Sequence, residues 1–177
     1  MKDADTMQLV GYHGTLKSRA HKIISVGFNL SSKKTEWLCT GIYFFVDIEN
    51  ARYLARKECE KLKGYRDDPC VITADIACRK DEYVDLDDIE NRKDMERTVR
   101  AAQPAQGAPN FMSTDQMRCF YCELYKRLKG VRILSYTFPR VTYSRIGIPI
   151  LRESTQICVS DNSYIKDKRG DYYEYVV

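Results

Sequence analysis

The 177-residue sequence is poor in histidine, with only His13 and His21, and it contains a single tryptophan, Trp37. Two histidines exclude a histidine-rich metal site. No apolar run reaches the roughly 18 residues that a membrane span needs, and the polar first ten residues lack an apolar signal region. From these absences we expect a cytoplasmic protein that does not contact a membrane.

The sequence also has no large excess of charge of one sign. It has 29 Lys and Arg against 25 Asp and Glu, so the net charge is only +4. So small an excess does not indicate nucleic-acid binding unless the basic residues share one face. The seven cysteines are odd in number and scattered, which favours reduced thiols over a disulfide framework. The length and the 44% hydrophobic content predict one globular domain over residues 1–177.

Several common catalytic motifs are missing. The sequence has no P-loop and no G-x-G-x-x-G dinucleotide turn. Cys119 and Cys122 form one C-x-x-C pair on a predicted helix, with no second pair or suitably spaced histidine. We therefore interpret them as partly buried helix residues rather than as a zinc or redox site.

Hydrophobic periodicity predicts an α+β fold with largely antiparallel strands and no regular βαβ alternation. Helical spacing covers residues 16–26, 48–63, 87–100 and 114–129, and the longest apolar stripe joins Met117 to Leu128. Asp47 and Ser113 are suited to cap the second and fourth helices. Residues 101–109 are predicted to form a loop. Strand-like runs cover residues 9–15, 41–46, 70–77, 82–86, 131–138, 141–143, 156–159 and 171–177.

Five short segments stand out in chain order: Tyr12-His13-Gly14-Thr15, Gly27-Phe28, Gly41-Ile42-Tyr43-Phe44, Asn50-Ala51-Arg52-Tyr53 and Gln156-Ile157-Cys158-Val159. In this order they resemble the poly(ADP-ribose) polymerase-like or diphtheria-toxin-like branch of the ADP-ribosyltransferase superfamily. The resemblance covers the first third and the last quarter of the chain, and the middle matches only in its order of elements. It implies a split β-sandwich of mainly antiparallel strands with flanking helices.

The resemblance implies an NAD site that needs no metal. His13, Tyr43 and Gln156 correspond to the catalytic residues of the family, and His13-Gly14-Thr15 to its NAD-binding strand. The ring of His13 would bind a hydroxyl of the adenosine ribose, and the backbone of Gly14 would bind the nicotinamide carboxamide.

The remaining positions of the motif would hold the nicotinamide end of NAD. Asn50 would be a side-chain partner of the carboxamide, Tyr53 would stack on the ring, and Tyr43 would form the opposite wall. Tyr53 lies about 200° around its helix from Ala51, so helical geometry already places it off the apolar stripe. Gln156 would contact the 2′-hydroxyl of the nicotinamide ribose.

Gln156 departs from the family pattern, which has glutamate at this position. An amide can orient the ribose, but it carries no negative charge and cannot act as a base for an incoming hydroxyl. Glu153 lies three residues upstream, where strand alternation would turn it to the opposite face. We therefore expect transfer of a single ADP-ribose, or hydrolysis of NAD, rather than chain elongation.

The leading hypothesis is an NAD-dependent mono-ADP-ribosyltransferase acting on a protein or nucleic-acid acceptor. Its size would suit a bacterial or phage-conflict effector or toxin with an antitoxin or immunity partner. The alternatives are an NAD glycohydrolase, a non-catalytic module that binds NAD or ADP-ribose, and an enzyme that removes a 2′-phosphate from RNA. The loop from Asn29 to Glu36 would cover the donor, with residues 31–34 near the pyrophosphate and Trp37 as a structural plug beneath it.

Overall fold

The computed structural model describes residues 5–31, 36–62, 67–106, 113–143, 146 and 149–172, which contain seven strands, four α-helices and the short 3-10 helices Lys80–Glu82 and Asn162–Tyr164. At 103–106, 140–143, 149–152 and 172 the description is of the backbone alone. The strands are β1 (Thr6–Leu16), β2 (Ile42–Phe45), β3 (Pro69–Arg79), β4 (Tyr83–Asp85), β5 (Ile133–Tyr143), β6 (Pro149–Val159) and β7 (Ile165–Tyr172). The helices are α1 (Lys17–Val26), α2 (Ile48–Glu60), α3 (Ile89–Gln106) and α4 (Thr114–Lys129).

All seven strands belong to one open sheet in the order β4-β5-β6-β2-β1-β3-β7. Only the β4–β5 pair is parallel among the described pairs. The α+β class predicted from the sequence is confirmed at this level. The order brings three separate parts of the sequence side by side, because β6, β2 and β1 are neighbours.

The contact between β1 and β2 is unlike the other strand pairings. β1 pairs with β3 along its whole length, from Thr6 to Leu16, but its described pairing with β2 is limited to Tyr12 opposite Phe45. Phe45 also pairs with Gln156 on its other side. The sheet is therefore continuous at Tyr12, and the two strands separate from His13 onward.

Alternate residues of the central strands pack on opposite faces of the sheet, as strand geometry requires. Ile42 and Phe44 join one buried cluster with Ile72 and Ile157, against which α1 packs through Ala20. Cys158 and Leu134 join a second cluster formed with α4 and the 38–39 turn. The two faces thus hold two separate cores.

Local signals explain where three of the helices begin and end. Gly27, with φ of 96°, ends α1, and the Asp47 side chain caps α2 by accepting from the Glu49 N–H at 2.9 Å. Ser113 caps α4 by accepting from the Gln116 N–H at 3.2 Å, and Gly130 follows its end with φ of 72°. These four boundaries agree with the sequence prediction.

The structure corrects the prediction of a loop over residues 101–109, because α3 continues to Gln106. Alanine is the strongest helix former, and Ala101, Ala102 and Ala105 in this stretch favour the helix although Pro104 cannot donate a backbone hydrogen bond to the preceding turn. Residues 107–109 lie outside the described part.

The prediction for α4 is confirmed at the buried Leu124 and Tyr125 and at the two cysteines, but the ends of the apolar stripe differ. Met117 and Leu128 are exposed, whereas Cys119, Cys122 and Lys126 are buried. Small cysteine side chains are readily buried and allow the helix to approach the sheet closely. None of the four described helices combines the length and apolar composition that crossing a lipid bilayer requires.

Gly14 sets the distance between β1 and α2. A Cβ added at Gly14 would lie 2.0 Å from the Ala51 carbonyl oxygen, and both Ala51 and Ala55 on this face of α2 are fully buried. The absence of a side chain at position 14 therefore lets the backbone of the helix rest directly on the strand.

We predict that Gly14→Ala destabilises the fold, because α2 must move away from β1. Overpacking of this kind costs about 1–3 kcal/mol or more. Gly130→Ala is the matched control, since its added Cβ meets no atom within 4 Å and it is strained only by its φ of 72°, at a cost of about 1–2 kcal/mol. Urea unfolding measures both, and a smaller loss in Gly14→Ala than in Gly130→Ala would contradict the prediction.

Candidate functional site

His13 and Tyr43 meet where β1 and β2 separate. The His13 Nδ1 atom lies 2.8 Å from the Tyr43 carbonyl oxygen. Because a carbonyl oxygen only accepts hydrogen bonds, Nδ1 must carry the proton in this contact. The side chain of His13 thus bridges two strands whose main-chain pairing has ended one residue earlier.

Two phenylalanine rings fix the plane of His13. Phe28 lies edge-on at 5.1 Å between ring centroids, and Phe44 at 6.0 Å. Asn162 holds Phe28 in place, since its Oδ1 accepts from the Phe28 N–H at 2.8 Å and its Nδ2 donates to the Phe28 carbonyl at 2.9 Å. The Gly27-Phe28 segment therefore acts as one wall around His13.

The environment keeps the imidazole of His13 neutral. Burial lowers the pKa of His13 below its ordinary value, and this outweighs the opposing effect of the bond to Tyr43. In a neutral ring with its proton on Nδ1, Nε2 has a free lone pair. His13 is therefore set up to accept a hydrogen bond from a hydroxyl group.

The phenol of Tyr43 holds the turn that precedes its own strand. Its hydroxyl donates to the Cys39 carbonyl at 2.5 Å and accepts from the Leu38 N–H at 2.9 Å. Burial raises the pKa of Tyr43, so the phenol stays protonated and can make both bonds.

Helix α4 holds the same turn from its other side. The Glu123 carboxylate accepts from the Thr40 N–H at 2.9 Å, and Lys126 Nζ donates to the Thr40 carbonyl at 3.2 Å. Lys126 also lies 3.3 Å from the Cys39 sulfur, where Cys39 has a φ of 86°. A positive φ is costly for a residue other than glycine, and these contacts stabilise it.

A cavity of about 430 Å³ opens beside these residues. We call it the His13 cavity, and its walls include His13, Tyr43, Phe45 and Gln156. Ser31 and Glu36 lie at its rim and are hydrogen-bonded to each other through their side chains. Ser31 also pairs with Gly41 through the backbone, which closes the base of the loop between them.

A second cavity, of about 590 Å³, lies along α2, and we call it the Tyr53 cavity. Asn50 and Tyr53 line it from the helix, on the side away from the buried Ala51 and Ala55. Tyr53 is 40% exposed, with Lys57 Nζ 5.8 Å from its ring centroid. A partly exposed tyrosine ring at a cavity wall is suited to stack on a planar ligand.

The two cavities adjoin and share four lining residues: Trp37, Phe45, Leu54 and Gln156. Gln156 therefore lies at their junction. The structure brings five predicted residues to this pair of cavities: His13, Tyr43, Asn50, Tyr53 and Gln156.

Gly14 and Thr15 line neither cavity. Both are buried in β1, paired with Val71 and Cys70 of β3. The direct contacts to NAD predicted for Gly14 and Thr15 stay predictions. Position 14 requires a glycine for packing, because α2 lies directly against its backbone. Ser32, Lys33 and Lys34 lie outside the described residues.

The Tyr53 cavity has an acidic wall. Asp47, Glu49 and Glu153 line it, and no Lys or Arg lies among the described lining residues of either cavity. Glu49 is paired with Arg52, and Asp47 caps α2, so Glu153 is the carboxylate that these contacts leave uncommitted. This electrostatic environment favours a positively charged group.

The expectation that Glu153 faces away from the site is wrong, because Glu153 and Gln156 line the same cavity. β2 pairs with β6 only from Gln156 to Val159, so Glu153 lies beyond the end of β2, where this edge of β6 has no strand partner among the described pairs. Strand alternation alone does not describe that edge.

Trp37 is not the structural plug expected from the sequence. It is 44% exposed, lines both cavities, and stacks edge-on against Phe138 at 4.0 Å between ring centroids. Phe138 was missed at this site because an aromatic residue on a strand is more often a core residue, and only the fold brings it against Trp37.

Comparison of the chain with protein-family models, with curated proteins and with solved structures found no match in any of the three. The functional interpretation therefore depends on the residues and on the geometry of the two cavities.

We predict that His13 makes stability depend on pH below about 6.5, the ordinary pKa of histidine. The unfolded chain binds a proton there more readily than the folded one, because burial lowers the pKa of His13. Stability is therefore full above this pH and falls as the pH drops, by about 1.4 kcal/mol for each unit of pKa shift.

Unfolding free energies at pH 7.5 and pH 5.5 measure this effect. His13→Gln should reduce the difference between the two pH values, whereas His21→Gln, a change on the exposed face of α1, should not. An equal reduction in both variants would overturn the assignment to His13.

Proposed function

We propose that this chain is an NAD-dependent mono-ADP-ribosyltransferase that uses the joined His13 and Tyr53 cavities as its donor site. The observation that carries the proposal is the position of Gln156 between them, with His13 and Tyr43 on one side and Asn50 and Tyr53 on the other. These are five of the seven residues that the ADP-ribosyltransferase resemblance selects, the other two being Gly14 and Thr15, and the five come from β1, β2, α2 and β6.

The chemistry of each cavity suits a different half of NAD. The lone pair on His13 Nε2 suits a ribose hydroxyl of the adenosine half. The exposed ring of Tyr53 and the amide of Asn50 suit a flat ring with a carboxamide, which is the nicotinamide half. Volumes of about 430 and 590 Å³ lie within the usual range for ligand sites.

The opening between β1 and β2 supports the finer fold assignment. Pairing limited to Tyr12 and Phe45 leaves the sheet nearly divided into a β4-β5-β6-β2 half and a β1-β3-β7 half. A split β-sandwich requires such a division, with the donor lying at the split. We therefore assign the chain to the ADP-ribosyltransferase fold as part of this proposal.

The reaction breaks the bond between the nicotinamide nitrogen and C1′ of its ribose. Nicotinamide leaves with the bonding electron pair, and the ribose becomes an oxocarbenium-like cation. The side chain of Gln156 would orient the 2′-hydroxyl, and the acidic wall that includes Glu153 would stabilise the positive charge. An acceptor oxygen then forms a new bond to C1′ from one of its lone pairs, and where that oxygen carries a proton, the proton is released to water.

The first test is to incubate the protein and a cell lysate with NAD labelled in its adenosine half. We expect label on a macromolecule together with released nicotinamide. Free ADP-ribose as the dominant product would indicate a glycohydrolase, and saturable NAD binding without either product would indicate a binding module.

Tyr53 offers a matched pair of variants for this assay. Tyr53→Ala removes the stacking face and should lower kcat/KM for NAD about tenfold, which corresponds to ~1.4 kcal/mol. Tyr53→Phe keeps the ring and should retain most of the activity. Equal rates for the two variants would contradict the stacking role, and nicotinamide release is the measurement.

We also predict that Gln156→Glu raises the rate of NAD cleavage about tenfold, because a carboxylate stabilises the oxocarbenium more than an amide does. Gln8→Glu makes the same change at an exposed position near the start of β1 and should leave the rate unchanged. Single-turnover nicotinamide release measures both variants.

Glu153→Gln tests whether the carboxylate of Glu153 already supplies the negative charge that stabilises the oxocarbenium. If Gln156→Glu gives no gain and Glu153→Gln abolishes cleavage, the essential charge belongs to Glu153 and the role given to position 156 is wrong.

A further inference from the structure

A third cavity, of about 730 Å³, lies between α3, α4 and the middle of β5. We call it the α3–α4 cavity. It shares Phe138 and Pro139 with the Tyr53 cavity, so the two are neighbours along β5. None of the motif residues lines it, and the proposed donor site does not use it.

One face of α3 borders this cavity with charged side chains. Arg92, Glu96 and Arg100 are spaced four residues apart, which places them on successive turns of the same face. Neither arginine forms an ion pair with Glu96 or with any other residue in the described ranges. Both guanidinium groups are therefore available to a ligand.

Arg118 on α4 adds a third guanidinium beside the donor site. Its Nε donates to the Trp37 carbonyl at 2.9 Å, its guanidinium carbon lies 5.7 Å from the Trp37 ring centroid, and one Nη bonds to Asp115 at 2.9 Å. These contacts orient Arg118 along the wall that holds Trp37. The cavity thus has three guanidinium groups and one carboxylate in its lining.

Aromatic rings form the other part of the lining. Tyr121 on α4 and Tyr136 on β5 are partly buried, and Tyr136 lies edge-on to Phe138 at 4.8 Å between centroids. Leu38 and Leu86 close the floor. A cavity with an apolar aromatic floor and arginines on its rim suits a flat ring that carries an anion.

We propose that the α3–α4 cavity binds a nucleotide with a terminal phosphate, and that this phosphate is the acceptor of ADP-ribose. The acceptor role rests on the proposed function, whereas the binding does not. Arginine recognises phosphate through two parallel hydrogen bonds, and tyrosine stacks on bases. The same chemistry is offered by a free mononucleotide and by the phosphorylated end of a nucleic acid.

A phosphate acceptor also fits the amide at position 156. A hydroxyl acceptor must lose a proton as its oxygen bonds to C1′, so it needs a base. A terminal phosphate carries about −1.5 to −2 charges at pH 7, so its oxygen attacks with no proton to remove. The C1′–N bond breaks with its electron pair on nicotinamide, a C1′–O–P linkage forms, and no further reactant is required.

The binding test uses uridine 5′-monophosphate, a 5′-phosphorylated uridine tetranucleotide and plain uridine in titration calorimetry without NAD. Uridine compounds are chosen because they do not mimic the adenosine half of NAD. We expect saturable binding of the phosphorylated probes and at least tenfold weaker binding of uridine. Tighter binding of the tetranucleotide assigns the site to a nucleic-acid end, and equal affinity assigns it to a free nucleotide.

The variants compare two pairs of charges on the same helix. Arg92→Gln with Arg100→Gln should weaken the phosphorylated probes at least tenfold. Lys93→Gln with Arg97→Gln removes the same charge from positions that do not line the cavity, and it should have less than a twofold effect. Equal weakening by both pairs, loss of binding in Tyr53→Ala, or no saturable binding would overturn the site.

The acceptor role is tested by adding NAD and the probe that binds, and analysing the nucleotide by mass spectrometry. An ADP-ribose adduct on the phosphate supports the role. Nicotinamide release without an adduct overturns the acceptor role alone. The absence of any nicotinamide release overturns the proposed function instead, while the binding result without NAD still decides the nucleotide site.

Discussion

The hydrogen bond from the His13 ring to the Tyr43 carbonyl is the interaction on which the site depends. Main-chain pairing between β1 and β2 ends at Tyr12 and Phe45, and the imidazole spans the strands at the next residue. The bond keeps the strands together while the sheet opens, and it also fixes which ring nitrogen carries the proton. This one hydrogen bond therefore sets both the position of the two strands and the protonated nitrogen of His13. The Phe28 ring packs edge-on against the imidazole and keeps it in place.

The opening also needs a helix at a fixed height above β1. Gly14 supplies this, because α2 rests on its backbone with the Ala51 carbonyl where a Cβ would be. The buried alanine face of α2 then turns Asn50 and Tyr53 toward the cavity on the other side. Gly14 lines neither cavity, but by setting the distance of α2 from β1 it determines the positions of Asn50 and Tyr53. Packing alone is sufficient to explain a glycine at this position of the motif.

Periodicity and capping signals were sufficient for most of the fold, since α1, α2 and α4 each begin or end at residues with a clear physical role. The order of strands and the separation of β1 from β2 were not predictable, because they depend on contacts between distant parts of the chain. The same holds for Trp37 and Phe138, which meet only in the folded protein. Glu153 was misplaced because alternation along β6 does not reveal that β2 ends opposite Gln156, which leaves the cavity beside Glu153.

The net charge of +4 does not show that charges of opposite sign are concentrated on the two sides of Phe138. On one side, the Tyr53 cavity is lined by Asp47, Glu49 and Glu153, which suits a ribose that becomes positive as nicotinamide leaves. On the other side, the α3–α4 cavity carries three arginines. In the proposed reaction, the acidic cavity would stabilise the positive ribose, and the neighbouring arginine-lined cavity would hold the anionic acceptor. A nucleophile that brings its own negative charge needs no base at position 156, so under this proposal the amide of Gln156 and the arginine-lined cavity are consistent in one protein.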